Sequence, residues 1–278
     1  MPRAGEAEHG EQPSLAATMK LYMFQCGILK TKKHLITMGR GMGQPFEIPV
    51  PFFLIRHPRG NVLFDTGNAL AVVNNKTRHW GAVIESYDPV MVKDDYVVAQ
   101  LAKAGVKPEE ITHVIFSHLH LDHAGGTGEF LNAIHYVQRT EMQYAYMPDF
   151  FQAGAYIRAD FDKPHLNWHL LEGYQDDFYD VFGDGKLRIV FTPGHSPGHQ
   201  SLLIKLEKWG PTLLTGDSVY TEEILEEDVL PGLVYSPPDA VKSIKKMRNL
   251  RRVNGVRIIT GHDPVAWAKF NLAPAYYE

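Results

Sequence analysis

Residues 118–123 have the sequence His-Leu-His-Leu-Asp-His, which places three imidazoles and one carboxylate within six positions. The run follows Thr112–Ser117, an apolar and β-branched stretch that predicts a buried strand. Imidazole nitrogens and carboxylate oxygens are common protein ligands of zinc and related divalent metals. A cluster of such groups directly after a buried strand predicts a metal-binding loop with the ligands His118, His120, Asp122 and His123.

The same order of residues recurs at three later predicted strand ends. His195 follows Phe191-Thr-Pro-Gly194, Asp217 follows Leu213-Leu-Thr-Gly216, and His262 follows Ile258-Ile-Thr-Gly261. Glycine lets the backbone turn at the end of each strand without steric cost. We therefore expect four strand ends, from distant parts of the chain, to present nitrogen and oxygen ligands to one centre.

The number of ligand groups predicts the number of metal ions. The four strand ends together supply five histidines and two aspartates. A catalytic zinc site generally has three protein ligands and keeps one position for water, so these groups exceed what one ion needs. They suit two divalent ions bridged by one aspartate. Zn²⁺ is favoured, and iron, manganese or cobalt are compatible with the same ligand types.

Composition argues against several other classes of protein. The net charge is −4, so no basic surplus indicates a nucleic-acid partner. Cys26 is the one cysteine, which rules out an internal disulfide and a cysteine-rich zinc site. No apolar stretch reaches the roughly 20 residues of a membrane span, and no signal peptide is evident. We expect a cytoplasmic protein without a membrane partner.

The pattern of predicted elements indicates a layered protein. Residues 1–18 are polar and predict a flexible N-terminal tail, and residues 19–278 predict a single catalytic domain. Strands followed by helices occur in two rounds, which is typical of an α/β protein with two sheets inside and helices outside. Thr31–Pro45 is predicted to be a long loop, and Phe150–Asp177 a helical insertion that covers the site. Pro238–Arg252 is predicted to be an amphipathic helix with Val241, Ile244, Met247 and Leu250 on its apolar face.

Four segments carry a resemblance to a known family. They are Ser117-His-Leu-His-Leu-Asp-His-Ala-Gly-Gly126, Val137-Gln-Arg-Thr-Glu141, Thr192-Pro-Gly-His-Ser-Pro-Gly-His-Gln-Ser201 and Asp217-Ser-Val-Tyr220. The first resembles the metal-binding motif of the metallo-β-lactamase superfamily, and the others resemble the N-acyl-homoserine lactonases within it. The resemblance covers Lys20–Glu278 and implies an αββα sandwich with a dinuclear metal site at the edge of the two sheets.

The resemblance also implies a role for each site residue. One metal would be held by His118, His120 and His195, and the other by Asp122, His123 and His262. Asp217 would bridge the two metals, and Tyr220 would face the substrate carbonyl. His199 is close to these residues in sequence, but we interpret it as a hydrogen-bonding neighbour rather than a ligand.

The implied reaction is hydrolysis of the lactone ring of N-acyl-homoserine lactones, the reaction of quorum quenching. Two metal ions lower the pKa of a shared water, so a bridging hydroxide can attack the carbonyl near neutral pH. The Tyr220 hydroxyl can donate to the oxyanion. Asp122 can carry the proton to the leaving oxygen. No covalent enzyme intermediate is required.

An acyl chain requires an apolar trough beside the metals. The candidate residues are Met38, Met42 and Phe46 in the early loop, Leu121 between the ligands, and Leu233 with Val234 after Asp217. Some relatives have an aromatic residue where Leu121 stands, so the sequence does not define the acyl-chain length that fits.

Two alternatives use the same ligands. A glyoxalase-II-like thioester hydrolase, or another lactone or ester hydrolase of the superfamily, would share the metal centre. The thioester enzyme would also need a basic patch for the carboxylates of glutathione, and none is evident. A metal-stabilised binding protein would keep the ligands without turnover. The sequence does not define the oligomeric state and allows a homodimer.

Overall fold

The described part of the molecule contains twelve strands and eight α-helices, together with short 3-10 turns in the connections. The computed structural model describes residues 18–278, and the predicted tail 1–18 lies, apart from Thr18, outside the described residues. The strands are β1 (Lys20–Lys32), β2 (Pro45–His57), β3 (Gly60–Phe64), β4 (Asp88–Val90), β5 (Ile111–Ile115), β6 (Ile134–Gln138), β7 (Asn167–Leu171), β8 (Tyr179–Asp180), β9 (Leu187–Phe191), β10 (Gln200–Leu206), β11 (Gly210–Leu214) and β12 (Arg257–Ile259). The helices are α1 (Lys33–Ile36), α2 (Ala71–Trp80), α3 (Val97–Lys103), α4 (Arg139–Tyr146), α5 (Arg158–Phe161), α6 (Glu222–Glu226), α7 (Pro237–Asn254) and α8 (Pro264–Trp267).

The strands form two sheets of mixed direction. The larger sheet has the order β4-β1-β2-β3-β5-β6-β7, and the smaller sheet has the order β12-β11-β10-β9-β8. In the larger sheet, β3, β5, β6 and β7 are parallel to one another. In the smaller sheet, β10 is antiparallel to both β9 and β11, and β11 is parallel to β12. It follows that β9, β11 and β12 run in the same direction and end at the same edge.

Alternation of side chains along the strands produces the layers, because successive residues of a strand point to opposite faces. In β1, Leu21 and Met23 belong to a cluster shared with Leu202 and Ile204 of β10 in the other sheet. Their neighbours Tyr22 and Phe24 belong to a second cluster. The first cluster is therefore the core between the two sheets.

The second cluster covers the outer faces of the sheets. Leu213 and Ile258 of the smaller sheet lie in it together with Ile244 and Met247 of α7. The predicted arrangement of two inner sheets with helices outside is confirmed. Ser236 accepts a hydrogen bond from Asp239 N and so caps the start of α7.

Several local predictions differ from the structure. Thr31–Pro45 is not one loop, because β1 continues to Lys32, α1 follows, and β2 begins at Pro45. Phe150–Asp177 is not wholly helical, because it contains the edge strand β7, whose aromatic and polar residues hide the strand pattern. Helix α2 and strand β4 were not predicted. Val241, predicted on the apolar face of α7, is 38% exposed.

Within residues 18–278, no helix combines the length and the apolar character that crossing a membrane requires.

The core between the sheets predicts a test of stability. Phe64 of β3 is fully buried in it, so Phe64→Ala removes packing from both sheets and should lower the free energy of unfolding by about 3–5 kcal/mol. Val265→Ala is the control, because Val265 is 70% exposed on α8. Denaturant titration at fixed metal content measures the difference. A loss below about 1 kcal/mol for Phe64→Ala would contradict the described packing.

Candidate metal centre

The ends of parallel strands deliver the predicted ligands to one edge of the molecule. His118 comes after β5 in the larger sheet, and Asp217 and His262 come after β11 and β12 in the smaller sheet. The pairing of Leu214 with Ile259 keeps the ends of β11 and β12 level, so their following residues emerge side by side.

Gln200 joins the two sheets at this edge. Its backbone N–H donates to Ser117 O at 2.8 Å, and its Nε2 donates to Phe116 O at 2.7 Å. Gln138 Nε2, at the end of β6, donates to Gln200 Oε1 at 2.7 Å. These buried bonds hold the start of β10 against the end of β5, so the ligands of the two sheets keep their relative positions.

The structure brings all seven predicted ligands together in one buried cluster of overlapping triads. Within each triad, one potential ligand atom per residue lies within 4.8 Å of the others. The triads are His118–His120–His195, His118–His123–Asp217 and Asp122–His123–His262.

Asp217 lies between two groups of ligands and turns one carboxylate oxygen toward each. Its Oδ2 is 3.8 Å from His118 Nε2 and 3.5 Å from His195 Nε2. Its Oδ1 is 3.2 Å from His123 Nε2 and 3.1 Å from His262 Nε2. This is the geometry of a carboxylate that can bridge two cations.

The hydrogen bonds of two histidines define which ring nitrogen faces the cluster. His262 Nδ1 lies 2.8 Å from Pro49 O, and His195 Nδ1 lies 3.1 Å from Leu233 O. A carbonyl oxygen only accepts, so both Nδ1 atoms carry the proton. Their Nε2 atoms are left with lone pairs that point into the cluster, as metal ligation requires.

A buried carboxylate defines the ring orientation of His118 and His123 in a similar way. Asp65 Oδ2 accepts from His123 Nδ1 at 2.9 Å and from Ser117 Oγ at 2.8 Å. Because the Ser117 hydroxyl donates to Asp65, its oxygen accepts from His118 Nδ1 at 2.9 Å. Asp65 thereby orients two histidines. This role was not predicted from the sequence, although Asp65 comes directly after β3, much as the predicted ligands come shortly after their strands.

The cluster contains buried lone pairs that face one another. His195 Nε2 is 3.1 Å from His118 Nε2 and 3.0 Å from His120 Nδ1. Across the described residues, His120 Nε2, His123 Nε2 and Asp217 Oδ1 are buried without a hydrogen-bond partner. Such an arrangement is unfavourable unless a cation binds the lone pairs. The His and Asp clusters fit dinuclear metal binding.

The protonation states of several groups in the cluster also fit metal binding. Burial lowers the pKa of His118 and of His120 well below the usual histidine value, and neighbouring imidazoles lower it further. Burial alone would raise the pKa of Asp217, but His262 and His123 outweigh it and hold this pKa well below its usual range. Near neutral pH Asp217 is therefore a carboxylate and His118 and His120 are neutral imidazoles, the forms that bind metals. The pKa values of His123 and His262 are raised instead, because the negative charge of Asp217 outweighs the effect of burial, so a metal ion would have to displace a proton from these two imidazoles.

Glu141 is a second buried carboxylate, and no role was predicted for it from the sequence. Its Oε1 accepts from Leu119 N and from the Tyr156 hydroxyl, both at 3.0 Å. Its Oε2 accepts from Ser196 Oγ at 2.6 Å and from Gly198 N at 3.1 Å. Glu141 thus ties the loop of His118–His123 to the loop of His195. Residues 194–198 have the order Gly-x-Ser-x-Gly, but the Ser196 hydroxyl is bonded to Glu141 rather than to a histidine base.

His199 does not belong to a ligand triad. Its Nε2 accepts from Asp217 N at 3.0 Å, and its Nδ1 lies 3.0 Å from Thr192 Oγ1. It therefore positions the backbone of Asp217. Gly216 has φ +53°, and a Cβ there would lie 2.7 Å from Ser117 Cβ, so a glycine is required where the smaller sheet meets the larger one.

A cavity of about 250 Å³ adjoins the cluster. One side is polar and is lined by His120, Asp122, Asp217, Tyr220 and His262. Much of the remainder is apolar and is lined by residues that include Leu29, Leu35, Ile36, Ile48 and Val83. Phe151 and Gln152 also line it, so the segment after Phe150 does border the site.

The apolar wall differs from the predicted one. Leu121 and Leu233 line the cavity, but Met38, Met42, Phe46 and Val234 are not among its lining residues. Met42 is 78% exposed, and Phe46 borders a separate surface groove. The reason is that β1 and α1 extend to Ile36, so Leu29, Leu35 and Ile36 occupy the wall that the prediction assigned to the segment after them.

Tyr220 is buried in this cavity beside His195. Its hydroxyl lies 3.2 Å from His195 Nδ1, and that nitrogen also faces Leu233 O. Burial, followed by the negative charge of Asp217, raises the pKa of Tyr220 well above its usual value. The phenol therefore keeps its proton at neutral pH.

Comparisons with known proteins agree with this geometry. Residues 46–262 match the family model described as "Metallo-beta-lactamase superfamily". A protein of Azorhizobium caulinodans named "N-acyl homoserine lactonase AttM" is 50% identical over 260 residues, which cover 94% of this chain and 99% of that protein. A protein of Bacillus thuringiensis subsp. kurstaki named "N-acyl homoserine lactonase AiiA" is 35% identical over 258 residues, which cover 92% of this chain and 98% of that protein.

A solved structure extends the comparison to three dimensions. It is described as "N-Acyl Homoserine Lactone Hydrolase with the Product N-Hexanoyl-L-Homoserine Bound at The Catalytic Metal Center". It aligns with a TM-score of 0.84 at 33% sequence identity, covering 94% of this chain and 100% of that chain. The two sheets, the ligand cluster at their edge and these similarities lead to one assignment: the chain belongs to the metallo-β-lactamase superfamily and, within it, to the N-acyl homoserine lactonase family.

Proposed function

We propose that this chain hydrolyses the lactone ring of N-acyl homoserine lactones and uses two divalent metal ions as cofactors. The observation that carries the proposal is the position of Asp217 between two ligand groups, on the polar side of a cavity with apolar walls. The names of the relatives at 50% and 35% identity support the choice of substrate class. So does the product described at the metal centre of the solved structure.

Zn²⁺ is the proposed metal. One ion would be held by His118, His120 and His195. The other ion would be held by Asp122, His123 and His262. Asp217 would bind both ions. Imidazole-rich sites with carboxylates suit zinc, and three unshared protein ligands per ion match its catalytic sites. When bound, the ions would supply Lewis-acid polarisation of the lactone carbonyl and a water of lowered pKa.

Tyr220 is the proposed donor to the oxyanion. The proton on His195 Nδ1 is directed to Leu233 O and to the Tyr220 oxygen. The phenol oxygen therefore accepts from His195, and its own O–H remains able to donate into the cavity. A donor placed where negative charge develops stabilises the transition state more than the ground state.

Asp122 is the proposed proton carrier. Its Oδ2 lies 3.6 Å from His123 Nε2 and 3.6 Å from His262 Nε2, and the residue lines the cavity. Ring opening requires that the attacking water lose a proton and that the departing alkoxide gain one. A carboxylate at this position can move the proton from the first oxygen to the second.

The cavity also discriminates against the thioester alternative. Within the described part of the chain, its lining residues include neither Lys nor Arg. The two carboxylates of a glutathione thioester would have no cationic partner there, whereas an uncharged acyl chain can pack against Leu29, Ile36 and Val83.

A panel of substrates tests the proposed function. The purified, metal-loaded protein should open N-acyl homoserine lactones and release one proton per turnover, because the product is a carboxylic acid. A pH-indicator assay measures this for short and long acyl chains, a plain γ-lactone and a glutathione thioester. Faster turnover of the thioester would favour the glyoxalase-II-like alternative. Metal-dependent stability without turnover of any substrate would favour a binding protein.

Metal content tests the ligand cluster. We expect about two equivalents of divalent metal per chain, and Asp217→Ala should lose both metal and activity because it removes an oxygen from each ligand group. Asp228→Ala is the matched control, since the side chain of Asp228 is 99% exposed. Elemental analysis and the lactone assay give the two readouts. Full metal content in Asp217→Ala would exclude a bridging role.

Replacement of one hydroxyl tests Tyr220. Tyr220→Phe should keep its metal and lose roughly 10²-fold in kcat, because one oxyanion donor is removed. Tyr276→Phe, at a half-exposed tyrosine on the surface, should leave kcat unchanged. Unaltered kinetics of Tyr220→Phe on all lactones would remove Tyr220 from the mechanism.

A further inference from the structure

Gln152 has an unusual position beside the metal centre. Gln152 is one of the residues that line the cavity, and it is 1% exposed. Its Nε2 donates to His195 O at 2.9 Å. Among residues 18–278, no group donates to its Oε1, which is buried. Buried carbonyl oxygens in native proteins nearly always accept a hydrogen bond, so this oxygen calls for a donor.

The orientation of this amide is imposed by its neighbour. His195 O can only accept a hydrogen bond, so the NH₂ group of Gln152 must face it. Rotating the amide by half a turn would bring two carbonyl oxygens together. The Oε1 atom is therefore directed away from His195 O and is the acceptor that this side chain offers.

The backbone around Gln152 is also held in place. Gln152 N donates to Asp149 O at 2.9 Å, and Ala155 N donates to Gln152 O at 2.9 Å. Leu121 N, between the metal ligands, donates to Ala155 O at 2.8 Å. The side chain is thus positioned relative to the ligand loop before any substrate binds, which lowers the entropy cost of a contact with substrate.

The chemistry of the proposed substrate supplies a donor at a short distance from the reacting carbon. In an N-acyl homoserine lactone, the amide nitrogen is attached to the carbon next to the lactone carbonyl. Bond lengths and angles like those of a peptide place this nitrogen ~2.5 Å from the carbonyl carbon. Tyr220 and Gln152 both contact His195, through its Nδ1 and its carbonyl respectively. Both residues also line the cavity, so a lactone whose carbonyl lies near Tyr220 would carry its amide N–H into the space that Gln152 borders.

From these observations we infer that Gln152 Oε1 accepts a hydrogen bond from the amide N–H of the substrate. Gln152 is then a specificity-determining residue that selects lactones with an acylamino group next to the carbonyl. This inference depends on the proposed function, because it concerns the same cavity and the same substrate class.

Two substrates that differ by one donor test the inference. One is an N-acyl homoserine lactone, and the other is the α-acyloxy-γ-butyrolactone of equal chain length, in which an ester oxygen replaces the N–H. The ring-opened products are measured by chromatography. In Gln152→Met, the ratio of kcat/KM for the amide to that for the ester should fall by about 10-fold relative to the native protein.

The comparison of ratios protects the test from folding defects. Both substrates are measured on the same preparation, so the fraction of folded, metal-loaded protein cancels. Gln175→Met is the matched control at an exposed glutamine and should leave the ratio unchanged. Equal loss on both substrates in Gln152→Met would show a structural role only and overturn the inference. Failure of the native protein to open either lactone would instead overturn the proposed function.

Discussion

The carboxylate of Asp217 is the group on which the rest of the site depends. It is buried among imidazoles and has one oxygen facing each of two ligand groups. A buried anion is stable only when positive charge or hydrogen-bond donors surround it. His199 and Gly216 place its backbone, and the His and Asp groups around it fit the binding of two metal ions.

Two further buried carboxylates hold the candidate ligands in position around Asp217. Asp65 sets the ring orientation of His118 and His123, and Glu141 connects the loops that carry His118 and His195. Both carboxylates satisfy their oxygens with several donors, so each holds more than one loop. The precision of the centre thus comes from residues that are not ligands, and the two sheets act as the rigid support beneath them.

The cavity combines this polar centre with apolar walls from remote elements. Leu29 comes from β1, Ile36 from α1 and Val83 from the turn after α2, while Phe151 and Gln152 come from the segment before β7. The members of the superfamily share a fold, but substrate choice depends on such walls. Here the walls lack cationic side chains among the described residues, which suits an uncharged acyl chain better than a charged thiol carrier.

The sequence by itself determined the types and the number of the candidate ligands, and the layered fold. His118, His195, Asp217 and His262 each come three or four residues after an apolar strand, and this local pattern does not depend on knowing the partners of the strand. The motifs around His118, His195 and Asp217 were sufficient to identify the family, and Tyr220 became a candidate because it lies three residues after Asp217. The strands β5, β9, β11 and β12 were visible for the same reason, since their apolar runs are continuous.

Only the tertiary structure decided what surrounds the ligands. Met38, Met42, Phe46 and Val234 were assigned to the pocket from their nearness in sequence, but the extension of β1 into α1 gives the wall to Leu35 and Ile36. The roles of Asp65, Glu141 and Gln152 likewise depend on tertiary contacts. In these contacts the two partners are 43 to 58 residues apart in the sequence. A sequence shows the chemical type of each side chain and the local periodicity of the apolar residues. Which atoms it meets depends on how distant strands and loops pack, and that packing is a property of the whole chain.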